Sequence, residues 1–143
     1  MIIALREVEL DDLPTLFEHQ RDPAATAIAG FPARERAAFT AHWERILADP
    51  GARVRAIVAD GRVAGNVVSF EHEGRRQVGY WIGREFWGAG VATAALAAFL
   101  GLETARPLYA GVARRNAGSL RVLEKCGFAV CASEGDEVTL RLD

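Results

Sequence analysis

The apolar positions of this chain change their period several times, and each change marks an element. Residues 2–7, a short apolar run that meets charge at Arg6, read as a first strand. Asp11 or Asp12 then caps a helix that tolerates Pro14 in its first turn, carries Leu13, Leu16 and Phe17 on one face, and stops at Pro23. Residues 22–31 are small and without a period, which predicts a loop. Pro32 opens a second helix, with Phe39, Trp43, Ile46 and Leu47 at helical spacing for the core. Arg34, Glu35, Arg36, Glu44 and Arg45 give it a solvated face, and Pro50-Gly51 ends it.

Strands follow over residues 53–59 and 63–70, joined by Asp60-Gly61-Arg62, an Asp-Gly hairpin signal between apolar runs. A polar turn over 71–75 leads to a third strand, 77–82, and completes an antiparallel meander. The run 90–102 is apolar on nearly every side, which predicts a buried helix that Arg106-Pro107 stops. A strand over 108–112 then makes a β–α–β unit. Asn116 caps a further helix, 117–126, with Leu120, Val122 and Leu123 for the core and Gly127 as its C-terminal stop. Strands 128–132 and 138–142, around a turn at 133–136, close the chain and could support a homodimer.

Length and composition narrow this picture. The 143 residues predict a single domain spanning 1–143, able to bury about two-thirds of its unfolded surface without staples. Half of the residues are hydrophobic, which excludes disorder. The net charge of −2, with both signs interspersed, argues against a nucleic-acid binder, which shows a basic stripe. Cys126 and Cys131 are too close in sequence for a disulfide framework and read as free thiols. No apolar run reaches membrane-spanning length, and the first residues meet charge too soon for a signal peptide, so a cytoplasmic location is expected. His19 and His42 have no partners at ligand spacing, so no metal is expected.

The chemistry gathers at Tyr80-Trp81-Ile82-Gly83-Arg84-Glu85-Phe86-Trp87-Gly88-Ala89-Gly90-Val91-Ala92-Thr93, where a strand passes through a glycine-rich turn into a helix. Such a junction aims backbone N–H groups and the positive end of a helix dipole at one point, a site suited to phosphate. A packing turn explains the glycines equally well. No Gly-Lys-Ser/Thr follows, so it is not a Walker loop.

Gly79-Tyr80-Trp81-Ile82-Gly83-x-x-Phe86-Trp87-Gly88-x-Gly90-x-Ala92-Thr93, followed by Asn116-x-x-Ser119-x-x-Val122-Leu123-x-Lys125-x-Gly127-Phe128, resembles the GNAT family of N-acetyltransferases. The resemblance is strongest to the branch of the ribosomal-protein N-terminal acetyltransferases. The fold it implies is α+β, a three-layer mixed α/β arrangement. Its mostly antiparallel central sheet has about seven strands and about four flanking helices, and it splays between the fourth and fifth strands. The resemblance also implies acetyl-CoA as donor and a primary amine, on a small molecule or a peptide, as acceptor.

Under that resemblance the pyrophosphate lies on N–H groups of Trp87, Gly88, Ala89, Gly90, Val91, Ala92 and Thr93, with the two glycines leaving room for it. The pantetheine arm pairs with the free edge of Trp81, Ile82 and Gly83, like an added strand. The N–H of Ile82 or its neighbour faces the thioester carbonyl, and losing such a donor costs roughly 3–4 kcal/mol of transition-state stabilisation. Asn116 contacts the arm, and Ser119 stands near the sulfur as proton donor or hydrogen-bond partner. Asn with Ser three residues on is equally a helix cap. Tyr80 is a second candidate acid unless it turns into the core.

Gln77 stands where that branch often has Glu, and an amide takes no proton. Glu71, His72 and Glu73 either act through water or form a solvated turn. A weakly basic acceptor needs less help: an α-amine has a pKa of about 8, a lysine about 10.4. Two other readings compete. A non-catalytic acyl-CoA-binding module would keep the turn and lose turnover. A dinucleotide-binding enzyme is opposed by the missing third small residue after Gly88-x-Gly90 and by the meander before it.

Overall fold

The computed structural model describes residues 1–143. The elements are β1 (Ile3–Arg6), α1 (Leu13–Arg21), α2 (Pro23–Ala29), α3 (Arg36–Ala48), β2 (Arg53–Ala59), β3 (Arg62–His72), β4 (Arg75–Ile82), α4 (Val91–Leu100), β5 (Leu108–Ala113), α5 (Ala117–Lys125), β6 (Ala129–Glu134) and β7 (Glu137–Leu142). Seven strands form one sheet in the order β1-β2-β3-β4-β5-β7-β6. Every neighbouring pair is antiparallel except β4 and β5. The expected mixed three-layer architecture is present.

Alternation along the strands sends side chains to two faces. One face packs Val54 against Leu13, Leu16, Phe17, Phe39 and Trp43 of α1 and α3. The other packs Ile57, Val67, Val78 and Ile82 against Leu96 and Phe99 of α4 and Leu123 of α5. Trp43 is a core residue, as its helical spacing predicts.

Four expectations need correction. Residues 22–31 are not a loop, because they contain α2: Asp22 accepts from the Ala24 N–H as N-cap, Pro23 opens the helix, and Gly30 ends it at φ +79°. Pro32 does not open α3, which starts at Arg36. The Gln20 side chain instead bonds the N–H and C=O of Arg34 and holds that segment out of the helix. Burial of α4 is one-sided. Val91, Ala95, Leu96 and Phe99 face the sheet while Ala94, Ala97 and Ala98 are exposed, since alanine favours helix and loses little by meeting water. The helix count is therefore five.

Asp12 does not cap α1 with its side chain. Its buried carboxylate takes two hydrogen bonds from Arg6, at 2.7 and 2.8 Å, and one from the Glu9 N–H. The hydrogen bonds from Arg6 hold it below the usual carboxylate range against the opposing effect of burial.

The feature that makes the site is a failure of pairing. β4 and β5 pair only at Arg76 with Leu108 and Gln77 with Tyr109, after which the strands separate. At that vertex the buried Glu103 accepts from Ser69 Oγ at 2.5 Å and from Arg76 Nε at 2.7 Å. Burial pushes the Glu103 carboxyl up, and hydrogen bonds from Ser69, Arg76 and the Ala105 N–H outweigh it.

Candidate active site

Beyond the vertex, β4 keeps β3 on one side and has an open edge on the other. The Gly83 N–H bonds Ala64 O, so by antiparallel alternation the Ile82 N–H faces the open side. The Ile82 carbonyl faces the same way and accepts from the Trp87 indole N–H at 2.9 Å. Trp87 thus ties the glycine-rich turn to the strand and leaves one open donor at Ile82. Trp81 anchors the other face, its indole N–H on His19 O at 3.1 Å.

Gly83 has neither backbone group free, because its carbonyl accepts from the Phe86 N–H. Its role is spatial. A Cβ there would lie 2.6 Å from His19 Nε2, so glycine lets α1 press against the end of β4. Burial lowers the pKa of His19, which stays neutral.

In the turn, the Trp87 N–H bonds Arg84 O, and hydrogen bonding resumes at the Ala94 N–H on Gly90 O. Every N–H from Gly88 to Thr93 lies between those two bonds. The last three belong to the first turn of α4, which has no intrahelical acceptors for them. Gly88 and Gly90 both adopt φ +77°, and a Cβ on either would meet nothing within 4 Å. Glycine is needed here for the left-handed backbone that aligns the donors, before any question of ligand space.

Opposite the turn stands the N-terminus of α5. The Asn116 side-chain oxygen accepts from the Ser119 N–H at 3.2 Å, so the capping role is realised. Ser119 Oγ lies 2.6 Å from the Tyr80 hydroxyl. Tyr80 therefore reaches out of its strand toward α5. Burial pushes its pKa up to about 12, against the smaller opposing effect of the Ser119 hydrogen bond.

Two cavities meet at this pair. The first, about 580 Å³, is lined by Tyr80, Trp81, Ile82, Trp87, Gly88, Gly90, Val91, Ala92, Thr93, Asn116 and Ser119 among others. Gly83 and Ala89 do not line it. Its charged side chains are Arg115, Arg121 and Lys125, with no carboxylate, which fits a polyanion lying on the open N–H row. The second, about 660 Å³, shares Ala29, Tyr80, Trp81, Arg115, Asn116 and Ser119 with the first. It extends past Gln77 to Phe31 and Phe70 and to Glu134, Asp136 and Glu137. The segments 22–31 and 133–136, expected on either side of an acceptor, both contribute to it.

The residues 71–73 are placed elsewhere: Glu71, His72 and Glu73 are exposed on the β3–β4 hairpin and line neither cavity. Sequence reasoning missed α2, which contributes Ala25, Ile28 and Ala29 to the first cavity. It also missed Arg115, whose Nε donates to Ala27 O and holds α2 over the cleft. The signal for α2 was present in Asp22-Pro23 and Gly30, an N-cap, a first-turn proline and a C-terminal glycine.

Comparison with known proteins agrees with this geometry. A family model described as an acetyltransferase (GNAT) domain matches residues 3–129. No curated protein matches the chain. Among solved structures, a domain from Methanocaldococcus jannaschii superposes with TM-score 0.82 at 15% identity, covering 99% of this chain and 97% of that one. An acetyltransferase from Thermus thermophilus gives 0.81 at 21% identity, covering 99% and 96%. Spermidine N-acetyltransferase from Vibrio cholerae, in complex with CoA and spermine, gives 0.79 at 17% identity, covering 97% and 92%. These likenesses establish a shared fold, and the family match over most of the length goes further: the chain belongs to the GNAT acetyltransferases.

Proposed function

We propose that the chain transfers the acetyl group of acetyl-CoA to a primary amine by direct attack on the thioester. The observation that carries this reading is the meeting of the two cavities at Tyr80 and Ser119, beside the outward N–H of Ile82. The open N–H groups from Gly88 to Thr93 bind the pyrophosphate, with Arg121 and Lys125 adding charge. The β4 edge takes the pantetheine arm by strand addition, and the N–H of Ile82 stabilises negative charge developing on the thioester oxygen. Acetyl-CoA supplies the activated acyl group.

The pKa of Tyr80 shapes its role. A leaving thiol titrates near 8.5, so complete proton transfer from a phenol of pKa about 12 is uphill by roughly 5 kcal/mol. The Tyr80–Ser119 pair spends one hydroxyl proton on its mutual bond and therefore offers the other as a hydrogen bond to the departing sulfur, and the proton comes from the attacking amine. No carboxylate stands at Gln77 to deprotonate that amine. Arg115 lines both cavities, and a nearby cation favours the neutral form of an amine. The likeness to the ribosomal-protein branch favours a protein N-terminus as acceptor, and the spermine bound to the Vibrio cholerae structure favours a small molecule.

The test is release of free thiol from acetyl-CoA across a panel of amines, beside calorimetry of CoA binding. Thiol release that depends on an amine is expected. CoA binding without release for any amine would instead establish the non-catalytic module, for which Gln77 is the supporting feature.

A further inference from the structure

Resting on the acetyl-transfer reading, we infer that Arg84 and Arg115 are positioning residues for the acceptor. They pin α2 at its two ends and so set the wall against which the amine lies. α2 supplies Ala25, Ile28 and Ala29 to the first cavity, and Ala29, Gly30 and Phe31 line the second. It is therefore a wall of both cavities at the place where they meet.

Little apolar packing holds that wall. Ala25 is the one buried residue of α2, and no side chain of the helix belongs to either apolar layer of the core. Its larger apolar side chain, Ile28, is 39% exposed. The segment is instead closed at its base, where the Gln20 side chain bonds both the N–H and the C=O of Arg34. Residues 21–33 thus leave and rejoin the domain at one clip, like a compact surface loop with its ends drawn together. A segment built this way swings on its base unless its far side is held.

Two arginines hold it. The Asp22 carboxylate caps α2 with Oδ1 on the Ala24 N–H, and its Oδ2 lies 3.0 Å from Arg84 Nε. Arg84 opens the short turn ahead of the glycines, and its carbonyl accepts the Trp87 N–H. At the other end Arg115 Nε donates to Ala27 O at 2.9 Å. That oxygen is among the carbonyls that a helix C-terminus leaves free, where a cation is also favoured. Gly30 suits this contact twice over. Its φ of +79° ends the helix, and a Cβ there would lie 3.2 Å from Arg115 Nη2. Arg115 directly precedes Asn116, the cap of α5. Both arms therefore start from the CoA side of the cleft and end on the acceptor wall. Two polar contacts, and not core packing, fix the distance of that wall from Tyr80 and Ser119. Releasing either arm loosens the acceptor and spoils its aim at the thioester.

The experiment reads α2 directly by amide hydrogen exchange on the full chain, and reads the acceptor by the KM and kcat of whichever amine of the panel releases thiol fastest. Asp22→Asn frees Arg84 while keeping a good helix cap, and Asp22 lines neither cavity. It should speed exchange over residues 24–30 about threefold, the small effect of an exposed ion pair, and raise the acceptor KM by a similar factor with a smaller change in kcat. Arg115→Met should do the same by about tenfold. Arg115→Lys returns the charge to both cavities without the guanidinium fork, and should recover little of either loss. Unchanged exchange in Asp22→Asn and Arg115→Met overturns the assignment, with Asp22→Asn as the arbiter if the Arg115 variants disturb α5. Faster exchange with an unaltered KM overturns it too. So does a KM that Arg115→Lys restores while exchange stays fast, because charge and not position would then be at work. Thiol release with unresponsive exchange would refute the two arms and keep acetyl transfer. Exchange that responds as expected, with no thiol release for any amine, would refute acetyl transfer and keep the arms.

Discussion

Gly90 offers the sharpest test of how the donor turn works. Its φ of +77° lies in the left-handed region, and a Cβ there would meet nothing within 4 Å. Alanine at this position is strained by its backbone and by no neighbour, at a cost of about 1–2 kcal/mol. For a chain of this size that lowers Tm by roughly 3–6 °C. Asparagine tolerates the left-handed region better, so Gly90→Asn should cost less stability than Gly90→Ala although it is larger. Binding of CoA should rank the other way. Once the backbone is held, the longer side chain stands where the phosphates approach. Denaturant unfolding without ligand and calorimetry with CoA separate the two effects. If Gly90→Ala matched the wild type in both measurements, the backbone argument would be wrong. If Gly90→Asn bound CoA as tightly as the wild type, the phosphates do not lie on this turn.

Four further outcomes follow from the site and its supports. Tyr80→Phe should lower kcat about tenfold, the value of one hydrogen bond to a developing charge. A loss beyond a thousandfold would mean that Tyr80 transfers a full proton. Because burial raises the Tyr80 pKa to about 12, the folded state holds its proton more firmly than the unfolded state. Its linked stability is intact below about pH 10 and lost as pH rises from about 10 toward 12, and urea midpoints across that range in wild type and Tyr80→Phe would reveal any other sign. Trp87→Phe removes the donor to Ile82 O and should cost about 1 kcal/mol of stability together with activity, since the turn is no longer tied to β4. Arg76→Ala leaves Glu103 buried beside Ser69 without its cation and should cost about 3 kcal/mol by denaturant unfolding, with Glu103→Gln costing less.

What the sequence disclosed follows the range of each interaction. The strands of the meander announced themselves because Asp60-Gly61 and the apolar alternation around it act over neighbouring residues. The donor turn was legible because Gly88, Gly90 and the start of α4 are contiguous, and the cap at Asn116 because its partner is three residues away. α2 was missed because Ala24, Ala25, Thr26, Ala27, Ile28 and Ala29 carry almost no contrast between faces. Only its end signals, Asp22-Pro23 and Gly30, distinguish it from a loop. The bond from Tyr80 to Ser119 spans 39 residues and that from Ser69 to Glu103 spans 34, and no local pattern encodes such pairings.

The vertex and the cleft belong to one design. A parallel β4–β5 pair that continued past Gln77 would use the Ile82 N–H within the sheet and close the gap in which Tyr80 meets Ser119. Early termination of pairing therefore creates the open donor and the passage between the cavities together. It also removes ladder hydrogen bonds that would hold the two strands at a fixed angle. Glu103 supplies part of what is missing: it joins the strand residues Ser69 and Arg76 to the segment that follows α4. Arg76 also reaches Gly51 O, which extends the tie to the opposite layer. A buried carboxylate at the vertex thus holds by side chains an angle that the backbone no longer fixes, at the point from which any error would be magnified along β4 toward Ile82.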